Sequence, residues 1–430
     1  MDNGLLEFLD YSHSQFHSID KISKILLSDG YIELKESDEY VLEKGKKYFV
    51  KRNLTSLLAF KIPNEIKDYH FQMVAVHSDS PNFKIKDHVY DNSSNCFKLI
   101  VEPYGGMIHS TWLDKPLGVA GRIVYKNGDQ INSKLVDLGD GIAIIPNLAI
   151  HLNREINDGY KYNPQTDLCP ILASSNDENI FEKTLNNYLE EDQELLSYDL
   201  YLYNSEKAQL IGLNKDFLSS PKLDDLACDY TCLKGFMNGE NKSHISLFVS
   251  FDNEEVGSGS INGADSTFLE DNLRRINTAL GYKEKEFLRA LAKSTLLSAD
   301  NAHAIHPNIP NKLETKSPVL LNKGIVIKHN ANMHYCSDAL GAGLIKSLCK
   351  DIDIPYQEFF NRSDIRGGST LGNISMAHVS ILSVDIGLAQ LAMHSSYETM
   401  GSKDIDDMIM LITAYMSKDI VNKDGNINIR

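Results

Sequence analysis

Cysteine is scarce in this chain of 430 residues: six in all, at Cys96, Cys169, Cys228, Cys232, Cys336 and Cys349. Their spacing matches no zinc finger and their density no disulfide scaffold, so reduced and mostly buried thiols are expected. Cys228 and Cys232 would lie one turn apart on a helix, as a packing pair. Long apolar runs are missing too. The longest candidate, Leu371 to Met393, is broken by polar residues and glycines, whereas a membrane-spanning helix needs about 18 apolar residues in succession. The opening stretch MDNGLLEFLDYSHSQF is acidic and lacks the basic and then apolar pattern of a secretory leader, so a cytoplasmic protein is expected. Positive charge is short. Against 59 Asp and Glu there are 43 Lys and Arg, a net charge of −16, and no basic stripe is available to neutralise phosphates. Nucleic acid and anionic membrane surfaces are therefore excluded as partners. An acidic substrate would need a local positive pocket inside this negative field.

What is present is ample for folded domains. Hydrophobic residues make up 42% of the chain, and its length suits two or three domains. Apolar residues recur at helical spacing from Leu5 to Leu26, with Gly30 as a stop, and predict a helix or helix pair. The run from Phe71 to Val76 predicts a strand that ends in HSDSP. From about residue 88 short apolar pieces alternate with turn signals, among them the hairpin dipeptide Asn127-Gly128, and an acidic stretch at 174–194 suggests a helix. Beyond SSPKLDDLACDY, helix and strand alternation returns. ISLFVSF predicts a buried strand, residues 283–297 a helix, LGAGLIKSLCK a helix capped by Ser337, and the last helix starts near Lys403. These patterns predict an α/β catalytic domain split in two, residues 1–88 and 221–430, around an inserted β-rich domain at 89–220.

Five pieces place metal-type ligands at the ends of apolar runs, where the strands of an α/β sheet deliver side chains to the crevice at their carboxyl edge. They are VAVHSDSP with His77 and Asp79, PKLDDLA with Asp224 and Asp225, SFDNEEVGS with Glu254 and Glu255, LLSADNAHAIHP with Asp300, His303 and His306, and LAMHSSYE with His394. Any one of them has an ordinary structural explanation, Asp224 for instance as a helix cap. Their joint occurrence suits a site for two zinc ions, and cobalt or manganese would suit the same donors. In such a site one carboxylate bridges, each ion takes a further carboxylate and an imidazole, and one carboxylate stays free as base. Asp224 is the expected bridge, His77 and Asp300 complete one ion, Glu255 and His394 the other. Glu254 remains as the general base, and Asp79 would fix the His77 tautomer. Competing motifs are missing: there is no H-E-x-x-H, no P-loop, no dinucleotide glycine pattern and no serine elbow.

HSDSP, TWLDKPLGVAGR, LDD, NEEVGS, SADNAHAIHP, NRSDIRGGSTLGN and QLAMHS together resemble the bacterial branch of the aspartyl aminopeptidase family of dinuclear zinc exopeptidases, in order from about residue 13 to 416. The resemblance implies a zinc-exopeptidase-like α/β sandwich with an inserted dimerisation domain, assembled as a tetrahedral dodecamer. It implies the metal and base roles given above, and hydrolysis of an N-terminal residue, preferably Asp or Glu, from peptides. It also implies substrate contacts from His303, Lys328 and Tyr335, and from His151 of a neighbouring subunit, which would provide the positive pocket. The chain departs from the family at Met333-His334, where Gln-Arg often precedes the tyrosine. Two alternatives fit the same residues: a related zinc aminopeptidase or deacylase of other specificity, and a non-catalytic assembly protein on this fold.

Overall fold

The computed structural model describes residues 3–240, 243–365 and 367–430. Its largest element is a nine-stranded sheet in the order Ile32–Leu34, Lys47–Arg52, Ser56–Lys61, Ile245–Phe251, Phe71–His77, Thr295–Ala299, Leu382–Gly387, Ile325–His329 and Tyr356–Phe360. The strands Ile245–Phe251, Phe71–His77, Thr295–Ala299 and Leu382–Gly387 run parallel at its centre. They are buried on both sides, which is why each reads as a continuous apolar run and not as an alternation. Period-two geometry sorts their side chains: Val74 and Val76 join one core, Met73 and Ala75 the other. The first core takes in the helices Asn3–Tyr11, Gln15–Ser28, Leu223–Asn238, Ala339–Asp351 and Asp404–Ser417, and the second Phe268–Ala279 and Glu284–Lys293. The result is an α/β fold with helices on both faces of one sheet.

A separate six-stranded antiparallel sheet draws its strands from Asn82 to Asn204 and has its own core around Phe83, Phe97, Trp112, Leu200 and Leu202. The strand Gln209–Ile211 pairs with Phe217–Ser220, which pairs in turn with Glu398–Gly401, and these belong instead to a third sheet. The hairpin foreseen at Asn127-Gly128 forms with Asn127 opposite Gln130, so its two turn residues are Gly128 and Asp129.

Local details correct three sequence expectations. The helix expected over 283–297 stops at Lys293, and Thr295–Ala299 is a central strand. Asp338, not Ser337, caps the Ala339–Asp351 helix by accepting the Gly341 amide at 2.7 Å; the Ser337 hydroxyl accepts from the Asp385 amide. The acidic stretch 174–194 holds only a short helix, Ile180–Asn186, because Gln193 already starts a strand. All six cysteines are free, four buried and two partly so. Among the described residues no helix is long and apolar enough to cross a membrane.

Candidate active site

The four parallel central strands end on one edge of the sheet, and the chemistry gathers just past their last residues. His77 closes its strand, Asp300 follows Ala299, and Glu254 and Glu255 form a 3-10 turn three residues beyond Phe251. Asp224 comes from the first turn of the Leu223–Asn238 helix, whose capping position is Lys222. Asp224 is therefore not a cap; the backbone at Asp224 and Asp225 departs from helical angles and the Asp224-Asp225 peptide is cis. That helix is held down by the close passage of Gly235 over Asp404–Ser417, where a Cβ would lie 2.5 Å from the Cβ of Ile412. His394 sits in the left-handed region at φ 65°, with its amide donating to Glu398 at 2.6 Å.

One pocket of about 570 Å³ is lined by His77, Asp224, Glu254, Glu255, Asp300 and His394, and also by His303, Lys328 and Tyr335. Residues expected from five distant pieces thus share one cavity. His151 is not among them: it lies on an exposed turn of the inserted segment, away from the pocket of its own chain. Asp79 is buried just behind the lining.

The two oxygens of Asp224 face different imidazoles. Oδ1 is 3.7 Å from His77 Nε2, and Oδ2 is 3.6 Å from His394 Nε2, which also lies 3.4 Å from Glu255 Oε2. His77, Asp224, Asp225 and Asp300 can each place a ligand atom within 4.8 Å of the others, and so can Asp224, Glu255 and His394. Asp224 belongs to both of these groups; His77, Glu254 and Glu255 form a third such set without it. Buried carboxylate oxygens on Asp224 and Asp225 have no hydrogen-bond partner among the described residues. Buried anions without partners are costly, and a cation in each group would satisfy them. The donor set, imidazole nitrogen mixed with carboxylate oxygen, fits zinc.

The electrostatics carry the same signature. Burial, reinforced by Asp300, pushes the Asp224 carboxyl up to about 6. Burial also pushes Glu254 up to about 8, with Asp300, Asp79 and Asp224 adding to it and His77 opposing. Burial pulls His77 down, but Asp225, Asp79 and Glu254 outweigh it and carry the imidazole well above its ordinary value. Crowded carboxylates that hold protons against burial are released when a divalent ion supplies the missing charge.

Three sets of contacts were not foreseen from the sequence. The Asp79 carboxylate accepts the backbone amides of Glu254 and Glu255, both at 3.1 Å, and the Tyr104 hydroxyl at 2.7 Å. Besides standing 3.3 Å from His77 Nδ1, it therefore clamps the turn that carries the paired glutamates. Glu398 accepts the amides of both Asp224 and His394, at 3.0 and 2.6 Å, and so ties two candidate ligands together. The Gly106 carbonyl, from the inserted segment, lies 2.7 Å from His394 Nδ1 and accepts its hydrogen, which directs Nε2 into the pocket. Next to it Gly105, at φ +76°, passes so near that a Cβ there would meet that of Glu255 at 3.1 Å. Glu398 had a faint signal, a carboxylate that opens a short strand four residues after His394. Tyr104 and Gly106 had none.

Because Asp79 holds two amides with two oxygens, Asp79→Asn turns one acceptor into a donor facing an N–H. We expect kcat to fall by about 10- to 100-fold with folding intact and with a displaced pH profile, since the turn carrying Glu254 shifts and the carboxylate charge 3.3 Å from His77 Nδ1 is lost, although the Asp79 carbonyl 3.1 Å from Nδ1 remains. A variant that lowers kcat without moving the pH profile would reduce Asp79 to a packing residue.

The chain matches the family model for aminopeptidase I zinc metalloprotease (M18) over residues 8–416. It is 44% identical over 416 residues to a probable M18 family aminopeptidase 2 of Clostridium novyi (strain NT), covering 94% of this chain and 95% of that protein. To the protein of the same name from Ectopseudomonas mendocina (strain ymp) it is 38% identical over 422 residues, 96% and 97% of the two chains. Among solved structures, Ape4 from a complex with Nbr1 superposes with a TM-score of 0.91 at 32% identity, covering 96% of this chain and 85% of that one. The mApe1 of S. cerevisiae, solved as a dodecamer, superposes with a TM-score of 0.82 at 25% identity, covering 96% and 95%.

Proposed function

The chain belongs to the aminopeptidase I (M18) family of zinc metalloproteases, and from that premise we propose that its pocket is a two-zinc site that removes an acidic N-terminal residue from peptides. The observation that carries the two-ion reading is Asp224, whose oxygens face one imidazole each at 3.7 and 3.6 Å. His77 and Asp300 would share one ion with it, Glu255 and His394 the other.

Zinc bound there supplies a Lewis acid for the scissile carbonyl and lowers the pKa of water. The rest falls to side chains. Glu254, with no ligand role, accepts the proton of the attacking water as its oxygen bonds to the carbonyl carbon. As the C–N bond breaks, Glu254 returns that proton to the departing amine nitrogen, so the carboxylate is regenerated. Its elevated pKa in the bare pocket suits proton exchange near neutrality, and bound cations would bring it down. Asp79 keeps Glu254 at its post through the backbone.

Recognition of an acidic side chain is assigned to Lys328. Its ammonium is buried, 3.3 Å from Asp300 Oδ1 and 5.4 Å from the centre of the Tyr335 ring. Burial alone would lower its pKa, but Asp300 raises it above the ordinary lysine value, so it stays charged. Once Asp300 serves an ion, Lys328 can offer its remaining hydrogens to a substrate carboxylate, with His303 on the same wall. His151 would reach the pocket of a neighbouring subunit. That arrangement requires assembly, and we propose a dodecamer built from dimers that meet through the inserted sheet, in the cytoplasm.

The test is metal content by mass spectrometry, paired with hydrolysis of Asp-, Glu-, Leu- and Lys-anilides before and after chelation. At least two metals per chain and chelator-sensitive release of Asp or Glu are expected. Two metals with a preference for Leu or Lys would retain the chemistry and remove Lys328 from specificity. Lys328→Met should cut the preference for Asp over Leu by about 10- to 100-fold, the worth of a hydrogen bond to a charged group. Equal losses on both substrates would make Lys328 a support for Asp300 only.

A further inference from the structure

At the edge of the sheet opposite the pocket, a second group of ligand atoms converges. His70 and His244 each precede a central strand, and those strands pair in parallel with Phe71 opposite Ile245, so the two imidazoles leave the sheet side by side with ring centres 5.5 Å apart. Both are buried, at 0% and 1% exposure. Asp419 reaches them from between the Asp404–Ser417 helix and the C-terminal hairpin Ile420–Lys423 and Asn426–Ile429. Its Oδ1 lies 3.7 Å from His70 Nε2 and 3.8 Å from His244 Nδ1.

None of these three atoms has a hydrogen-bond partner among the described residues. The separations are too long for a hydrogen bond, which needs about 2.7–3.2 Å. The outward atoms, by contrast, are engaged. His70 Nδ1 lies 2.7 Å from the Asp68 carbonyl, which can only accept, so Nδ1 carries the hydrogen and the Nε2 lone pair points inward. His244 Nε2 lies 3.1 Å from the Ser246 hydroxyl, an oxygen able to accept its hydrogen and leave Nδ1 free as a donor of electrons. The third group is the Asp419 carboxyl, whose Oδ1 faces both imidazoles at 3.7 and 3.8 Å. Its other oxygen, Oδ2, is 3.8 Å from Arg430 Nη1, which leaves Oδ1 for the cluster. Three lone pairs therefore face one another within 4.8 Å, with each imidazole already oriented as metal-binding histidines are.

We propose that His70, His244 and Asp419 form a separate, structural site for a divalent transition metal, with zinc as the best fit to two imidazoles and a carboxylate. Neighbouring ligands around tetrahedral zinc, with bonds of about 2.0–2.2 Å, stand about 3.3–3.5 Å apart, so the Asp419 oxygen, 3.7 and 3.8 Å from the two imidazole nitrogens, needs to approach each by only a few tenths of an ångström. The Phe71–His77 strand lies between the two sites, a distance of about 20 Å at about 3.3 Å per residue. The ion ties the C-terminal hairpin to the starts of two central strands, joining points far apart along the chain and closing long loops. It binds the folded chain alone and stabilises it by mass action.

The experiment compares wild type with His244→Gln and Asp419→Asn after stripping with a chelator, reloading with excess zinc and desalting. Both variants should hold about one zinc per chain fewer than wild type and show a smaller rise in thermal midpoint on zinc addition, while anilide hydrolysis stays near the wild-type rate. Because the readout is a difference, ions in the pocket cancel, and the result is independent of the two-zinc mechanism. Equal zinc content in all three chains overturns the site. Should a variant fail to fold, hydrogen exchange on wild type decides: adding zinc to stripped protein slows amide exchange in residues 420–429, and unchanged exchange there overturns the proposal.

Discussion

Glu254→Gln leaves an aminopeptidase that still carries its metals and has lost turnover by about 10²- to 10⁴-fold, the range spanned by a positioned general base. The substitution keeps volume and the hydrogen-bonding shape of the side chain but cannot accept a proton. Since Glu254 has no ligand role in the proposed site, metal content measured by mass spectrometry stays at the wild-type value, and KM changes little. The backbone clamp on Asp79 should survive, because it uses the residue 254 amide and not its side chain. Near-normal kcat in this variant would transfer the base to another group. Loss of metal together with activity would make Glu254 a ligand.

Asp224→Ala has the second large effect, and a different signature. Removal of a carboxylate whose two oxygens face two imidazoles takes a donor from both ions at once. Affinity for each should fall by more than about 100-fold, since even partners one shell further out are worth 10- to 100-fold. The expected outcome is loss of both metals and of activity. Glu255→Gln, by comparison, should weaken one ion only, with the other retained. If Asp224→Ala lost only one metal relative to wild type, the carboxylate would serve a single ion and the bridge would be wrong.

How much of this was visible beforehand depends on how local each signal is. His77, Asp300 and the paired glutamates stand at the ends of long buried strands, and a buried parallel strand writes itself into sequence as an apolar run with a polar stop. The position of the site at one sheet edge follows from that pattern. Asp224 was readable only as a chemical demand for a bridge; by spacing alone it looked like a helix cap, and the irregular backbone that turns it into the pocket has no local code. Tyr104, Gly106 and Glu398 act through contacts across 25, 288 and 174 residues, and no period or motif links such partners. His70 and His244 were equally silent, since each is one polar residue before an apolar run and only the pairing of two strands makes them neighbours. The error at residues 283–297 had a related cause. A helical face and a fully buried strand are both apolar, and the boundary at Ser294 leaves no stronger mark than a serine.

Splitting the pocket between both ends of the chain also sets when the protein can first act. His77 is made early, but His394 lies in the turn before the strand Glu398–Gly401, whose Glu398 holds it, and that strand is the last before the final helix. A growing chain thus carries carboxylates and one imidazole long before it carries a site, and the central sheet cannot close until the Leu382–Gly387 strand has docked beside Thr295–Ala299. An activity that depends on these residues has no complete pocket until the chain is nearly finished. It switches on only with completion of its own fold.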